Sequence, residues 1–253
     1  MQIEKTIGRN YSPKHIRRLV RQNYTHYAYF FFESLLLSSL TPRDRPFFDR
    51  AFRIVNGEAL KRALALNRGV FLLSGHIGFW EALGPVITFN FRPITVVVKR
   101  IQVRFIQRIR EILQAFPGVR LLDSETSGFR ALSLMKTLRR GEIVGIIQDQ
   151  HRPSADFAKF FGYDVRTNAT AAVLSRRNGA PVLLTYVLRN KFRKYDVIFV
   201  ETDIPPTAHL ESREAVRIVN DYLNGLFESV IQKHPEQWLW AHRRFKDNSN
   251  FVY

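Results

Sequence analysis

His76 and Glu81 are the two residues of this chain whose types and spacing suggest acid–base chemistry. They lie in the segment 74–81, Ser-Gly-His-Ile-Gly-Phe-Trp-Glu, directly after a short apolar run. On one continuous helix this spacing would splay the two side chains by about 140°. We therefore expect His76 in a turn and Glu81 in the first turn of the following helix. There Glu81 can accept the proton of one ring nitrogen, and the other nitrogen acts as a general base.

The spacing alone leaves a structural alternative open. A histidine can satisfy backbone groups at the end of a strand, and a glutamate can cap a helix. Other chemistries are set aside by residue type. The chain has no Cys, which excludes thiolate metal sites and cysteine nucleophiles, and Ser74 does not lie in a Gly-x-Ser-x-Gly nucleophile elbow. The residues favour direct attack by a bound acceptor, with no metal and no cofactor.

The apolar pattern of the chain predicts strands that alternate with helices. Residues 12–66 are predicted to be helical, and a loop is predicted over 148–161. The predicted strands are 69–74, 94–98, 119–122, 143–147, 181–188 and 195–200, and the later predicted helices begin near 79 and cover 103–115, 128–140, 167–177 and 211–232. Such alternation implies a mostly parallel sheet.

We therefore predict a single α/β domain over residues 1–253. A mostly parallel central sheet is flanked by helices in the core (67–246), and an N-terminal helical cap precedes it (1–66). His76 follows the first predicted strand. It should thus lie at the carboxyl edge of the sheet, where open parallel sheets bind their ligands.

The composition indicates an anionic partner. The 39 Lys and Arg residues outnumber the 22 Asp and Glu residues, giving a formal net charge of +17. Nucleic acid, an anionic bilayer with phosphorylated lipid and an acidic carrier protein all fit this charge. No run of about 18 uncharged apolar residues is present in the sequence, so we expect the chain not to span a membrane.

Several motifs follow one another in a fixed order between about residue 57 and residue 246. They are His76-x-x-x-x-Glu81, Arg108-Ile-Arg110-Glu111, Gly145-Ile-Ile-Gln-Asp149-Gln150, Phe160-Phe161-Gly162 with Thr167, Arg177-Asn-Gly179-Ala180-Pro181-Val182, and Pro235-Glu-Gln-Trp238-Leu-Trp240-Ala-His242-Arg243-Arg244-Phe245-Lys246. The ordered set resembles the bacterial lipid A biosynthesis acyltransferases, the late enzymes that add secondary acyl chains to lipid A precursors.

The resemblance implies transfer of a fatty acyl chain from acyl carrier protein to a hydroxyl of a lipid A precursor or similar glycolipid, with His76 and Glu81 as the catalytic dyad. Related glycerolipid acyltransferases use a similar pattern on other lipids, so another phospho- or glycolipid acceptor stays open. The family usually carries an N-terminal membrane anchor, which is not visible here. We expect either a trimmed chain or peripheral binding at the cytoplasmic face of the bacterial inner membrane.

Arg108 and Arg110 are further candidates on the helix that follows the second predicted strand. Arg108 matches the first Arg of the family motif and is expected to hold a lipid phosphate or to stabilise the oxyanion. Arg110, two positions later, points elsewhere on a helix and is a candidate for substrate binding. A solvated basic helix face is the alternative for both.

Asp149 and Gln150 follow the predicted strand 143–147 and should line the same crevice as His76. We expect them to orient the site or bind substrate, against the alternative of an Asp that only anchors a loop. Arg243 and Arg244 are predicted to bind substrate as well. They lie in a segment whose Trp and cationic residues suit lipid headgroups, although its tryptophans could equally clamp it into the core.

Residues 24–40 are rich in aromatic residues and leucine, and Arg17, Arg18 and Arg21 precede them. One face of this predicted helix is expected to pack on the protein and the other to lie on lipid. The expected partners are therefore acyl carrier protein, a membrane lipid acceptor and an anionic membrane surface.

Two other classes of function compete with this interpretation. The charge and the basic run 99–110 could indicate nucleic-acid binding, but basic residues are spread along the whole chain and a recognised binding motif is missing, so we expect no nucleic-acid partner. A peripheral lipid-binding protein with an inactive site is the second alternative.

Overall fold

A mixed seven-stranded sheet forms the centre of the computed structural model, which describes residues 2–98, 104–123 and 129–251. In spatial order its strands are β1 (Phe52–Val55), β9 (Lys194–Glu201), β8 (Val182–Lys191), β2 (Val70–Ser74), β5 (Ile143–Ile147), β3 (Ile94–Val98) and β4 (Val119–Asp123). The neighbours β8 and β9 are antiparallel, and the other neighbouring pairs are parallel. The predicted mostly parallel α/β fold is confirmed.

Helices flank this sheet. They are α1 (Gln2–Lys5), α2 (Pro13–Ser39), α3 (Arg45–Ala51), α4 (Gly57–Ala65), α5 (Leu83–Asn90), α6 (Arg104–Ala115), α7 (Phe129–Arg139), α8 (Thr170–Asn178) and α9 (Ser212–Lys233). Alternate residues of β2 belong to different apolar clusters, since Phe71 and Leu73 share one with α8 and α9 while Val70 and Leu72 share the other with α4 and α5. Such alternation is what a sheet covered on both faces requires. Within the described ranges, no helix is both long and apolar enough to cross a membrane.

The sequence-based assignment missed three strands. β1 lies inside the region predicted as helical cap; it is a four-residue edge strand that pairs with β9, about 140 residues later, so local pattern does not reveal it. Strands β6 (Phe157–Phe160) and β7 (Tyr163–Arg166) form a separate hairpin that begins in the predicted loop. Their turn residues Phe161 and Gly162 both have positive φ, as a type I′ hairpin turn requires.

Helix α2 is tied to the rest of the fold by buried polar contacts. The guanidinium of Arg189, in β8, donates to both carboxylate oxygens of Glu33, with Nε 2.7 Å from Oε1. The amide of Asn23 donates to the carbonyl oxygens of Glu236 and Trp238, each at 2.9 Å. Buried charges persist only when paired in this way. The N-terminal helix is therefore held against β8 and the C-terminal segment, both of which lie near His76.

Candidate active site

The carboxyl ends of β2 and β5 bring the main candidate residues together. These strands are parallel neighbours, with Ser74 opposite Ile147. His76 follows β2, and Asp149 and Gln150 follow β5, so the three side chains meet at one edge of the sheet. This is the position that the sequence predicted for all three residues.

The imidazole of His76 has a polar partner on each nitrogen. Its Nδ1 lies 2.7 Å from Oδ1 of Asp149, and its Nε2 lies 3.2 Å from the amide nitrogen of Gln150. Both contacts are satisfied when Nδ1 carries the proton and Nε2 accepts. The lone pair that a base needs is therefore on Nε2, and an acceptor hydroxyl would take the place of the Gln150 amide there.

Asp149 is a buried carboxylate that receives three hydrogen bonds. Besides the ring of His76, its Oδ2 accepts from the backbone N–H of His76 at 2.8 Å and from the indole N–H of Trp238 at 2.8 Å. Burial disfavours the charged form, but the attraction of His76 and the hydrogen bonds from His76 and Trp238 outweigh it, and the pKa of Asp149 lies below its ordinary value. Asp149 is thus ionised and fixes the ring of His76.

We expected Glu81 to contact one ring nitrogen of His76, and the structure instead places Asp149 at Nδ1. Glu81 lies in the short turn Trp80–Ala82 that leads into α5, as expected, and lines the same cavity as His76. The carboxylate at Nδ1, however, comes from the neighbouring strand β5. The reason is topological: parallel neighbours place their carboxyl ends side by side, whereas the chain after His76 moves on towards α5.

Two glycines make the turn after β2 possible. A Cβ on Gly75 would lie 3.1 Å from Oδ2 of Asp149, closer than ordinary van der Waals contact, so a larger residue would have to displace this carboxylate slightly. Gly78 has φ +64°, and a Cβ there would overlap the carbonyl oxygen of Val187. The turn is also bound to the C-terminal segment, where the N–H of Leu239 donates to the carbonyl of His76 at 3.1 Å.

A cavity of about 700 Å³ begins at His76 and continues between the sheet and helices α5 and α6. Apolar side chains line its inner part, namely Leu83, Ile87, Val96, Leu113, Val119 and Leu121. Trp80, whose ring packs edge-on against that of His76 at 4.9 Å, and Phe30 of α2, stacked on Trp80 at 4.1 Å, close it on one side. Near the exposed residues Pro153 and Ser154 its lining is polar. The cavity therefore suits a long apolar chain with a polar end near His76.

Arg108 does not occupy the place that was predicted for it. It is exposed on α6, where its guanidinium contacts the carboxylate of Glu111 at 3.1 Å, and it is not among the described residues that line the cavity. The side chain of Arg110 and the whole of residues 99–103, including Lys99 and Arg100, lie outside the described part of the structure. The oxyanion role expected of Arg108 therefore has no support from its position.

Arg244 is fully buried and supports the site from behind. Its guanidinium donates to the carbonyl of Gln150 at 3.1 Å and to the hydroxyl of Thr167 at 2.8 Å. This geometry corrects the expectation that Arg244 binds substrate directly, because its donors are directed at the protein. Arg243, its neighbour, is exposed.

Trp238 has a function in the site that the sequence did not reveal. The expectation for Trp238 and Trp240 was either lipid contact or core packing, and both are buried. The structure adds that the indole of Trp238 is a hydrogen-bond donor to Asp149. Its position 89 residues from Asp149 leaves no local signal for this contact.

His242 and His151 form a second polar group beside the site. The backbone N–H of His151 donates to Nε2 of His242 at 2.9 Å, and the ring of His151 lies 2.9 Å from the carboxylate of Asp247. Burial lowers the pKa of His242 to about 4, although the charge of Asp149 opposes this shift. His242 is therefore a neutral acceptor at neutral pH.

Acidification is expected to destabilise the protein between pH 6.5 and about 4 through His242. Folded His242 stays neutral over this range, whereas an unfolded histidine binds a proton below about 6.5. Unfolding then takes up a proton, so the free energy of unfolding decreases as the pH is lowered, by up to about 1 kcal/mol per pH unit. Urea unfolding at a series of pH values measures this slope. His242→Gln, which keeps an acceptor for His151, should reduce it, and equal slopes in both proteins would contradict this assignment.

The fold and the site together define an α/β protein equipped for base chemistry at the head of a large apolar cavity. Within the described ranges, no group of three or more His, Cys, Asp or Glu residues is arranged to hold a metal ion. The chain belongs to the bacterial lipid A biosynthesis acyltransferase family, whose profile matches residues 4–247.

Individual relatives agree with this membership. The chain is 29% identical over 198 residues to the lipid A biosynthesis palmitoleoyltransferase of Escherichia coli (strain K12) and to a lipid A biosynthesis acyltransferase of Shigella flexneri; each match covers 77% of this chain and 61% of the relative. It is 29% identical over 118 residues to the lipid A biosynthesis lauroyltransferase of E. coli (strain K12), covering 45% of this chain and 37% of the relative. The matches thus span less than two thirds of the relatives' length.

Proposed function

We propose that this protein transfers a fatty acyl chain from the thioester of acyl carrier protein to a hydroxyl of a lipid A precursor or a similar glycolipid. The observation that carries the proposal is the oriented ring of His76, which lines a cavity of about 700 Å³ with an apolar interior. Family membership supports acyl transfer as the reaction. The long apolar chain and the reacting carbonyl of an acyl thioester match the two parts of this cavity.

The reaction follows from the hydrogen bonds of His76. Nε2 removes the proton of the acceptor hydroxyl while Asp149 stabilises the charged ring. The oxygen attacks the thioester carbon, a C–O bond forms, and the π electrons of the carbonyl move onto its oxygen. When the carbonyl re-forms, the C–S bond breaks and the leaving sulfur takes the proton from His76. Protons and electrons balance without any further reactant.

We propose that the charged residues around the site contact the polar parts of the acyl donor and of the lipid acceptor. Glu81 lines the cavity beside His76 and is proposed as the second carboxylate of the site, close to the acceptor hydroxyl. Arg108 and Arg243 are exposed cations. We assign them to the acidic carrier protein or to a phosphate of the acceptor, together with Arg110, for which the sequence motif is the only support.

A transfer assay tests this function directly. Purified protein is incubated with acyl carrier protein bearing a radiolabelled acyl chain and with a lipid A precursor that has free hydroxyls. The expected result is a labelled, more highly acylated lipid together with one released thiol for each acyl group transferred. Thiol release without a labelled lipid would indicate a hydrolase, and the absence of both would overturn the proposal.

The exposed face of α2 supports action at a membrane surface. Tyr24, Phe31, Phe32 and Leu35 are all exposed, with 75% of Tyr24 and 61% of Phe32 accessible to solvent. The preceding turns of α2 carry the exposed residues Arg17, Arg18 and Arg21. Phe30, which precedes Phe31 in the same helix, lines the cavity. An apolar face next to cations is typical of helices that lie on anionic bilayers. We propose peripheral binding at the cytoplasmic face of the inner membrane through this face, so that lipid reaches the cavity directly.

Replacing Tyr24 and Phe32 by Glu is expected to lower affinity for vesicles of anionic phospholipid by at least about tenfold, because two apolar contacts are lost and negative charge is added. Vesicle sedimentation measures the binding. Leu132→Glu is the matched control, since Leu132 is equally exposed, at 60%, but lies on α7. Equal losses in the control and the double variant would show that net charge, and not this face, determines binding.

A further inference from the structure

Two buried hydroxyl groups line the cavity beside His76. Ser74 is the last residue of β2 and Thr185 lies in β8, and their exposed fractions are 3% and 1%. Both belong to the cavity wall. Among the described residues, neither hydroxyl oxygen has a hydrogen-bonding partner.

The sheet places these hydroxyls next to each other. Strands β2 and β8 are parallel neighbours, and Leu73 is paired with Leu184, so the next residues along, Ser74 and Thr185, lie side by side. Because side chains alternate between the faces of a sheet, both are on the same face as Leu72, which also lines the cavity. Ser74 is only two residues from His76. The hydroxyl pair therefore lies in the wall close to the proposed base.

Unpartnered buried hydroxyls are costly. Each costs about 1–3 kcal/mol relative to a paired one, and an apolar residue of the same shape would avoid that cost. Some buried hydroxyls of this protein are paired locally, as in Thr137, whose Oγ1 donates to the carbonyl of Ser133 at 3.1 Å, and Ser34 is one that is unpaired within the described ranges and lies away from the cavity. A pair that faces a ligand cavity without such partners indicates that the ligand supplies the acceptor.

We propose that Ser74 and Thr185 bind the carbonyl oxygen of the acyl thioester and donate hydrogen bonds to it as it becomes negatively charged. This inference rests on the proposed function. The attack moves the π electrons of the carbonyl onto this oxygen, so O–H donors directed at it stabilise the transition state more than the bound substrate. Asp149 is not available as a donor to this oxygen, because it is an ionised carboxylate that accepts three hydrogen bonds.

Ser74→Ala and Thr185→Val test the proposal, since both remove a hydroxyl and nearly keep the shape of the side chain. We expect each variant to lower kcat by about 10- to 100-fold with little change in KM, and the double variant to lose more. The melting temperature should stay the same or rise, because an unpartnered buried hydroxyl is lost. A purely structural role would instead lower the melting temperature and leave kcat unaltered.

Ser34→Ala is the matched control. Ser34 is fully buried on α2, its hydroxyl also has no partner among the described residues, and it does not line the cavity. It should keep full activity. A thioether analogue, in which CH₂ replaces the carbonyl, should bind wild type and variants equally.

Three results are decisive. Wild-type kcat in both variants would overturn the inference, as would weaker binding of the thioether by the variants, because that analogue has no carbonyl. A wild-type protein that transfers no acyl group would instead refute the proposed function itself.

Discussion

His76→Ala is expected to reduce acyl transfer by about 1,000-fold or more while the protein remains folded. A positioned general base contributes about 10²- to 10⁴-fold, and the structure offers Nε2 of His76 as the acceptor of the proton. The ring is partly accessible, with 17% of its side chain exposed, so its removal leaves the core intact. Initial rates of labelled lipid formation measure the loss, and circular dichroism and the melting temperature report the fold.

His15→Ala provides the matched control for His76. His15 is exposed near the start of α2, and its replacement should leave the rate unchanged. Added imidazole offers a second measurement, since a small base that fits the space left by the ring should restore part of the activity of His76→Ala. Turnover within tenfold of wild type in His76→Ala would remove His76 from the role of base.

The alternation of apolar strands and helices was sufficient to predict a mostly parallel sheet and six of its seven strands. Runs such as 70–74 and 143–147 are short, continuous and rich in β-branched residues or leucine, which is typical of strands buried on both faces. β1 escaped prediction because only Phe52 of its four residues is buried and its hydrogen bonds depend on β9. Local pattern carries no information on a pairing across about 140 residues.

The positions of those site residues that directly follow a strand could be predicted from the sequence. Asp149 and Gln150 could be placed near His76 because all three follow parallel strands. Which carboxylate would bind Nδ1 could not be predicted, because that depends on β5 being the neighbour of β2, and strand order is not encoded locally. Arg244 shows the same limit, since it is fully buried and its guanidinium donates to groups of Gln150 and Thr167, which are distant in sequence.

Asp149→Asn is expected to lower kcat by about 100- to 1,000-fold and to change KM little. The wild-type carboxylate accepts three hydrogen bonds, and its pKa lies below the ordinary value, so it is ionised at neutral pH. An amide has one oxygen, so its NH₂ group must face a donor, either His76 or Trp238. The ring then loses the charge that stabilises its protonated form, or it adopts the other tautomer, in which Nε2 carries a proton and cannot act as a base.

Asp196→Asn separates this effect from the loss of a paired carboxylate in general. Asp196 accepts two hydrogen bonds from Arg53 near the edge of the sheet, away from the cavity, so its replacement should leave kcat unchanged. Trp238→Phe removes one donor to Asp149 and keeps its charge, and should lower kcat by only about tenfold. A larger loss of kcat in Asp149→Asn than in Trp238→Phe would show that catalysis depends on the charge of Asp149 more than on the number of its hydrogen bonds. Asp149→Asn with wild-type kcat would show that His76 needs no carboxylate at Nδ1, and the assignment of this pair would fail.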